Sequence, residues 1–203
     1  MKSKYLPVTA TILSCILMII LSSCNLITTD RDRFYVDKDN CLTMIDIEKN
    51  GSDIIVPEKV GNTVIHDIYL ESSHFSKIDS IDVSNVSELE TFTLRLYEAG
   101  SHSKLKRIDF SKNKRVKSVH IFETKALEEI TFNENCKSVL LYKTSIKKLD
   151  FKLLKKLKYF NYINGPLESI ALSNNTNLEQ VDIENTNVKA VDIKTLKKLK
   201  YFI

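Results

Sequence analysis

The chain of 203 residues has four glycines, four histidines and four cysteines, and each shortage removes a class of chemistry. None of the glycines lies in a loop able to cradle a phosphate, and no H-E-x-x-H, G-x-S-x-G or P-loop sequence occurs. The cysteines (Cys15, Cys24, Cys41 and Cys136) form no C-x-x-C pair, which speaks against a zinc site or a disulfide framework. His66, Asp67, Glu71 and His74 fall together in HDIYLESSH, but on a strand and a loop whose spacing does not converge ligands. Cys136 occupies an apolar repeat position and is expected to be buried and inert, so a Cys136–His120 nucleophile pair is not expected either. The reading is therefore of a protein that is not an enzyme and has no cofactor and no metal.

Acidic residues are absent before Asp30. MKSK is followed by an apolar stretch of roughly 15 residues, shorter than the ~20 a spanning helix needs, which is the pattern of a secretory signal. It ends in Leu21-Ser22-Ser23-Cys24. This resembles the lipobox of bacterial lipoproteins, and the resemblance implies cleavage before Cys24 and a lipid on that residue. The expected organisation is a signal peptide over 1–23, lipidated Cys24 with a polar spacer over 24–33, a β-rich cap over 34–70, and a repeat domain over 71–203. Removing 23 of 203 residues leaves 180, and losing Lys2 and Lys4 lowers the formal charge from +4 to +2, which points to no particular polyanion.

What the chain has in abundance is a repeat. The heptapeptide LKKLKYF occurs at Leu154–Phe160 and again at Leu196–Phe202, 42 residues later. From residue 105 the pattern L-x-x-L-x-L, with Ile, Val, Phe or Tyr in place of Leu, recurs in two interleaved sets. One starts at 116, 136, 157, 178 and 199, the other at 105, 127, 146, 167 and 188. Weaker members stand at 65, 78 and 89, and LRLYEAGSHSK (94–104) interrupts the register like a loop insertion. The unit is thus about 21 residues with two short apolar segments, and 42 is two units. Within each segment the fourth and sixth residues are apolar between polar ones, the period of a strand with one buried face. A single unit cannot bury that face; stacked units can. Asn164, Asn175 and Asn185 suit the tight bends between segments.

LESIALSNNTNLEQVDIENTNV and LKRIDFSKNKRV resemble the 21-residue leucine-rich repeat of bacterial surface lipoproteins, although FETKA and YKTSI lack the asparagine. NCLTMIDIEKNGSDIIVPEKVGNTVIHDI (40–68) resembles the N-terminal cap of the BspA-like members, with turns at Asn50-Gly51 and Gly61-Asn62. The resemblance implies a β-rich repeat solenoid: an α/β-type leucine-rich-repeat horseshoe with a parallel sheet and a mostly non-helical convex side, ending mid-repeat without a cap. It also implies a lipid-anchored cell-envelope protein, at the outer membrane or cell surface rather than the periplasmic face. The implied function is adhesion-type binding of a protein or glycan.

If the set beginning at 116 forms the main sheet, its outward positions create a candidate patch. It comprises His120, Phe122, Leu140, Tyr142, Tyr159, Asn161, Ile163 and, at the chain end, Tyr201. The lysines around 147–158 and 194–200 read as a solvated connecting face, with acidic glycans or lipid headgroups as the other reading. A secretion signal weighs against nucleic acid as partner. Because the final LKYFI is half a segment, the alternative function is a structural or assembly lipoprotein. It would dock a partner, including a second copy as a homodimer, through its uncapped C-terminal edge, or be a shortened relative of a longer adhesin.

Overall fold

The computed structural model describes residues 27–29, 34–46, 51–71, 77–97 and 103–203. The expected signal segment, Cys24, Asn50, His74 and His102 lie outside them. The N-terminal part is built from β1 (Ile27–Thr29), β2 (Phe34–Val36), β3 (Cys41–Ile45), β4 (Asp53–Ile55), β5 (Lys59–Val60) and β6 (Thr63–Val64). β1, β2 and β3 run antiparallel, so residues 27–29 of the expected spacer are a strand. β5 and β6 form a hairpin whose turn carries Gly61 at φ 61°. Only glycine adopts that left-handed backbone without steric cost.

Beyond the cap, long and short strands alternate: β7 (Asp67–Glu71), β8 (Ser80–Asp82), β9 (Thr91–Arg95), β10 (Arg107–Asp109), β11 (Ser118–Phe122), β12 (Glu129–Thr131), β13 (Ser138–Tyr142), β14 (Lys148–Leu149), β15 (Tyr159–Ile163), β16 (Ser169–Ile170), β17 (Gln180–Glu184) and β18 (Tyr201–Phe202). The odd-numbered strands from β7 to β17, closed by β18, pair in parallel and join β3 to complete one ten-stranded sheet. The short strands line the opposite side as the parallel pairs β4–β8, β10–β12 and β14–β16. No α-helix occurs among the described residues. The chain is therefore a right-through β-solenoid of the leucine-rich-repeat type, one coil per repeat, with a parallel sheet on one side and short strands on the other.

The period-2 alternation decides which side chains fill it. Val119, Ile121, Val139, Leu141, Phe160, Tyr162 and Val181 point inward from the sheet and are fully buried. Burying each contributes roughly 1.5–3 kcal/mol. Phe110, Phe132 and Phe151 come from the opposite side; edge-to-face pairs knit the two sides together at Phe92–Phe110 (5.0 Å) and Phe151–Phe160 (4.8 Å), and Phe132–Phe151 (5.7 Å) joins neighbouring coils on the short-strand side. Phe202 occupies the inward column opposite Val181 but is 46% exposed, since no further described coil stacks on it.

Two asparagine columns serve different purposes. Asn164 and Asn185 sit at the bends after β15 and β17 with φ of 58° and 50°, and Glu123 and Lys143 hold the same positions after β11 and β13 with φ of 57° and 53°. That bend suits glycine or asparagine best, yet FETKA and YKTSI adopt the same left-handed backbone with Glu123 and Lys143. Asn175 is not at this bend. It belongs with Asn113 and Asn133, all three buried where the chain turns back toward the sheet. Its Nδ2 donates to the carbonyls of Phe151 (2.9 Å) and Leu154 (2.8 Å) in the preceding coil; Asn113 Nδ2 does the same to Val83 (2.7 Å) and Val86 (2.9 Å). Gly165 answers a packing constraint instead: a Cβ there would lie 2.5 Å from the Tyr162 hydroxyl, which fills the coil and donates to the Ile146 carbonyl at 2.6 Å.

Replacing Asn175 with alanine removes two hydrogen bonds to carbonyls that keep only the Leu154 and Leu157 amides as donors, and each lost bond costs roughly 0.5–1.5 kcal/mol. Urea unfolding should show Asn175→Ala less stable by about 1–3 kcal/mol, and Asn174→Ala, one residue away and exposed, changed by less than about 0.5 kcal/mol.

Candidate functional site

The outward face of the main sheet is laid out in rows, because parallel in-register strands bring equivalent residues side by side about 4.8 Å apart. One row reads Glu71, Arg95, Phe122, Tyr142, Ile163, Glu184; the next reads Tyr69, Thr93, His120, Leu140, Asn161, Asp182. Seven of the eight residues expected in the patch stand on neighbouring strands β11, β13 and β15. Tyr201 is set apart, two strands beyond Tyr159 with Gln180 between them. Their exposure is graded: Tyr159 is 42% and Tyr201 49% exposed, while the other six are partly buried by one another. Phe122 and Tyr142 lie with ring centroids 6.5 Å apart.

Cations frame this aromatic pair. The Arg95 guanidinium lies 4.2 Å from the Phe122 ring centroid and the Lys143 ammonium 5.1 Å from that of Tyr142. Such stacking favours the cation by about 0.5–1 kcal/mol at exposed sites. Glu71 completes the N-terminal side, accepting from the Tyr69 hydroxyl, from the Tyr97 hydroxyl at 2.7 Å, and pairing with Arg95 at 3.7 Å. Burial alone would raise the Glu71 carboxyl, but these three donors outweigh it and hold it below the usual carboxylate range. The same contact pushes Tyr97 up to about 12. At the other end, Asp182 is raised by burial and by its neighbour Glu184. The face thus passes from a hydrogen-bonded, cation-bearing end, through an apolar and aromatic middle, to an acidic end.

Arg95, Glu71, Tyr69, Tyr97 and Lys143 were not in the sequence-derived patch. The column rule finds Tyr69, Glu71 and Arg95 once the weaker repeat members at 65 and 89 are given the same outward positions. Tyr97 and Lys143 follow their strands and need the fold. Neither cysteine among the described residues adds a reactive group: burial pushes both Cys41 and Cys136 up to about 12, and Cys136 is fully buried. Among the described residues, no three His, Cys, Asp or Glu side chains come close enough to hold a metal ion.

No protein-family model and no curated protein matches the chain. Among solved structures it is similar to the functional domain of InlJ from Listeria monocytogenes, which includes a cysteine ladder, at 17% identity and a TM-score of 0.41. That likeness covers 79% of this chain and 41% of the other. It is also similar to an internalin (inlF) from Listeria monocytogenes, at 14% identity and a TM-score of 0.25, covering 68% of this chain and 65% of that one. The chain spans less than two thirds of either structure. The strand register, not this likeness, establishes the solenoid.

His120 offers a direct probe of the face. Burial lowers its pKa, so the fold prefers neutral imidazole while the unfolded chain titrates near ~6.5. Stability is therefore full above that value and is lost as pH falls from it toward the lower folded pKa. Unfolding at pH 8 and pH 5 should show a larger acid loss in the wild type than in His120→Gln; an equal loss would remove His120 from the half-buried face.

Proposed function

We propose that the chain is a lipid-anchored cell-envelope protein that binds a protein partner across the outward face of its main sheet. The observation carrying this reading is the Phe122–Tyr142–Ile163 row on adjacent strands, apolar, partly exposed and flanked by Arg95 on the neighbouring strand and Lys143 at the bend after β13. Aromatic and arginine side chains are the commonest anchors of protein interfaces. A contiguous apolar row left facing solvent is the usual mark of a contact surface. The fold needs none of these side chains for its interior, which Val119, Ile121, Val139 and Leu141 already fill.

Anchoring rests on Leu21-Ser22-Ser23-Cys24. The lipid on Cys24 would hold the solenoid at the envelope, with the outer membrane or cell surface as its address, and leave the sheet free to engage extracellular matrix proteins or other cells. A second reading, assembly through the C-terminal coil, is favoured by the exposed Tyr201, Phe202 and Ile203 at 49%, 46% and 46%.

Bacteria displaying the full chain, its Cys24→Ser form, or a Phe122→Ser/Tyr142→Ser form separate these elements. Adhesion to immobilised matrix proteins and to other bacteria should fall by about tenfold or more in the double variant, the loss of two hot-spot side chains. Cys24→Ser should release the protein from the membrane fraction. Undiminished adhesion by the double variant, with loss in Phe202→Glu, would move the function to the C-terminal edge.

A further inference from the structure

The two turn regions of the solenoid differ sharply in charge. Turns returning toward the main sheet (83–90, 110–117, 132–137, 151–158, 172–179 and 193–200) carry thirteen Lys or Arg against four Glu. The turns leaving it (122–129, 142–148, 163–169 and 184–190) carry five against five. The basic character is therefore concentrated on one edge, with four cations in each of the turns 110–117, 151–158 and 193–200, one in 132–137, and none in 83–90 or 172–179. Backbone hydrogen bonds hold that edge coil to coil: Lys117 N–H donates to Glu90 O, Lys137 to Lys117, Lys158 to Lys137, Glu179 to Lys158 and Lys200 to Glu179, each at 2.7–2.8 Å.

Within this edge one coil is short. Strand register sets Ile108 opposite Ile130 and Ser118 opposite Ser138. The return turn thus spans ten positions between the first pair members and eight between the second, so two residues are missing before Cys136. At this shortened coil lies a concave notch lined by Lys114, Arg115 and Lys117 from one coil, Asn135 and Lys137 from the next and Lys156 from the third, with the Glu90 carboxylate as its one acidic group. Asn135 orients this wall, its Oδ1 accepting from Lys156 Nζ at 2.5 Å while its Nδ2 donates to the Lys114 carbonyl at 2.9 Å. Arg115 is paired with Glu88 at 2.8 Å and Lys117 with Glu90 at 2.6 Å, whereas Lys137 and Lys156 have no carboxylate partner among the described residues. Along the edge Glu179, held down at about 2, is shared by Lys200 and Lys158.

We propose that this notch and the lysine edge continuing from it bind an acidic polysaccharide, one sulfate or carboxylate seated on Arg115, Lys137 and Lys156 and the chain lying along the axis. The site is separate from the sheet face and does not depend on it. Clusters of cations at every second coil match a linear polyanion, and a concave floor admits a single anionic group that a flat bilayer surface cannot present as deeply. No aromatic side chain from these turns stands among Arg115, Lys137 and Lys156, so base stacking of a nucleic acid is not served. Leu153, 70% exposed, stands alone among the lysines, and one such residue is ordinary for a surface.

The test uses the full chain in non-ionic detergent, with heparin and polygalacturonate as probes. Arg115→Gln/Lys137→Gln/Lys156→Gln should weaken binding by about tenfold, the scale of three screened ion contacts. Lys125→Gln/Lys147→Gln/Lys189→Gln, which removes equal charge from the opposite turns, should weaken it by less than about twofold. Circular dichroism and the unfolding midpoint of both variants should match the wild type, since all six side chains are at the surface. Equal weakening by the two variants would reduce the effect to net charge and overturn the proposal. So would failure of the wild type to bind either polysaccharide. A third contrary result is a notch variant that keeps polysaccharide binding but loses affinity for vesicles containing anionic phospholipid, which assigns the edge to a membrane surface.

Discussion

Every coil of this protein depends on the one before it. A coil of about 21 residues exposes its inward Val, Leu, Ile and Phe on both open sides until a neighbour stacks in parallel and in register. Stacking also pairs the strand amides, so burial and hydrogen bonding are satisfied by the same movement. The turns obey the same rule. Asn113 and Asn175 reach back one coil to donate to two carbonyls each, and Lys117, Lys137, Lys158, Glu179 and Lys200 connect their backbones in an unbroken series.

That dependence leaves two surfaces unclaimed by the fold. The outward rows of the main sheet are set in register by the inward rows, yet their identities are free to vary. They change from Glu71 and Arg95 through Phe122, Tyr142 and Ile163 to Glu184 without disturbing the interior. The returning turns are likewise fixed in backbone and free in side chain, and there the sequence accumulates lysine. Rigid backbone with variable side chains suits recognition, because little conformational entropy remains to be lost when a partner binds.

The repeat, its two segments per coil and the inward register were all legible in the sequence, because alternation and a near-constant spacing are both local signals. His120, Phe122, Leu140, Tyr142, Tyr159, Asn161 and Ile163 were placed on one face by that rule alone. Other features were hidden by the same regularity. Two asparagine columns lie a few residues from an apolar position, so Asn175 reads like Asn164 and Asn185 although it is buried and they are bent. The 20-residue interval between 116 and 136 looks like scatter in a 21-residue repeat; only strand register reveals a shortened turn and a notch. Lys143 sits beside Tyr142 in the chain, but its position over the ring depends on the left-handed bend that follows β13.

Leu140 and Leu141 provide the most direct measurement, being adjacent, chemically identical and assigned to opposite faces. Leu141 is fully buried and Leu140 faces outward between His120 and Asn161. Equilibrium unfolding of the two alanine variants should show Leu141→Ala less stable by about 2–5 kcal/mol and Leu140→Ala by less than about 1 kcal/mol. Equal losses, or the larger loss at Leu140, would contradict the register on which the solenoid, the sheet face and the basic edge all depend.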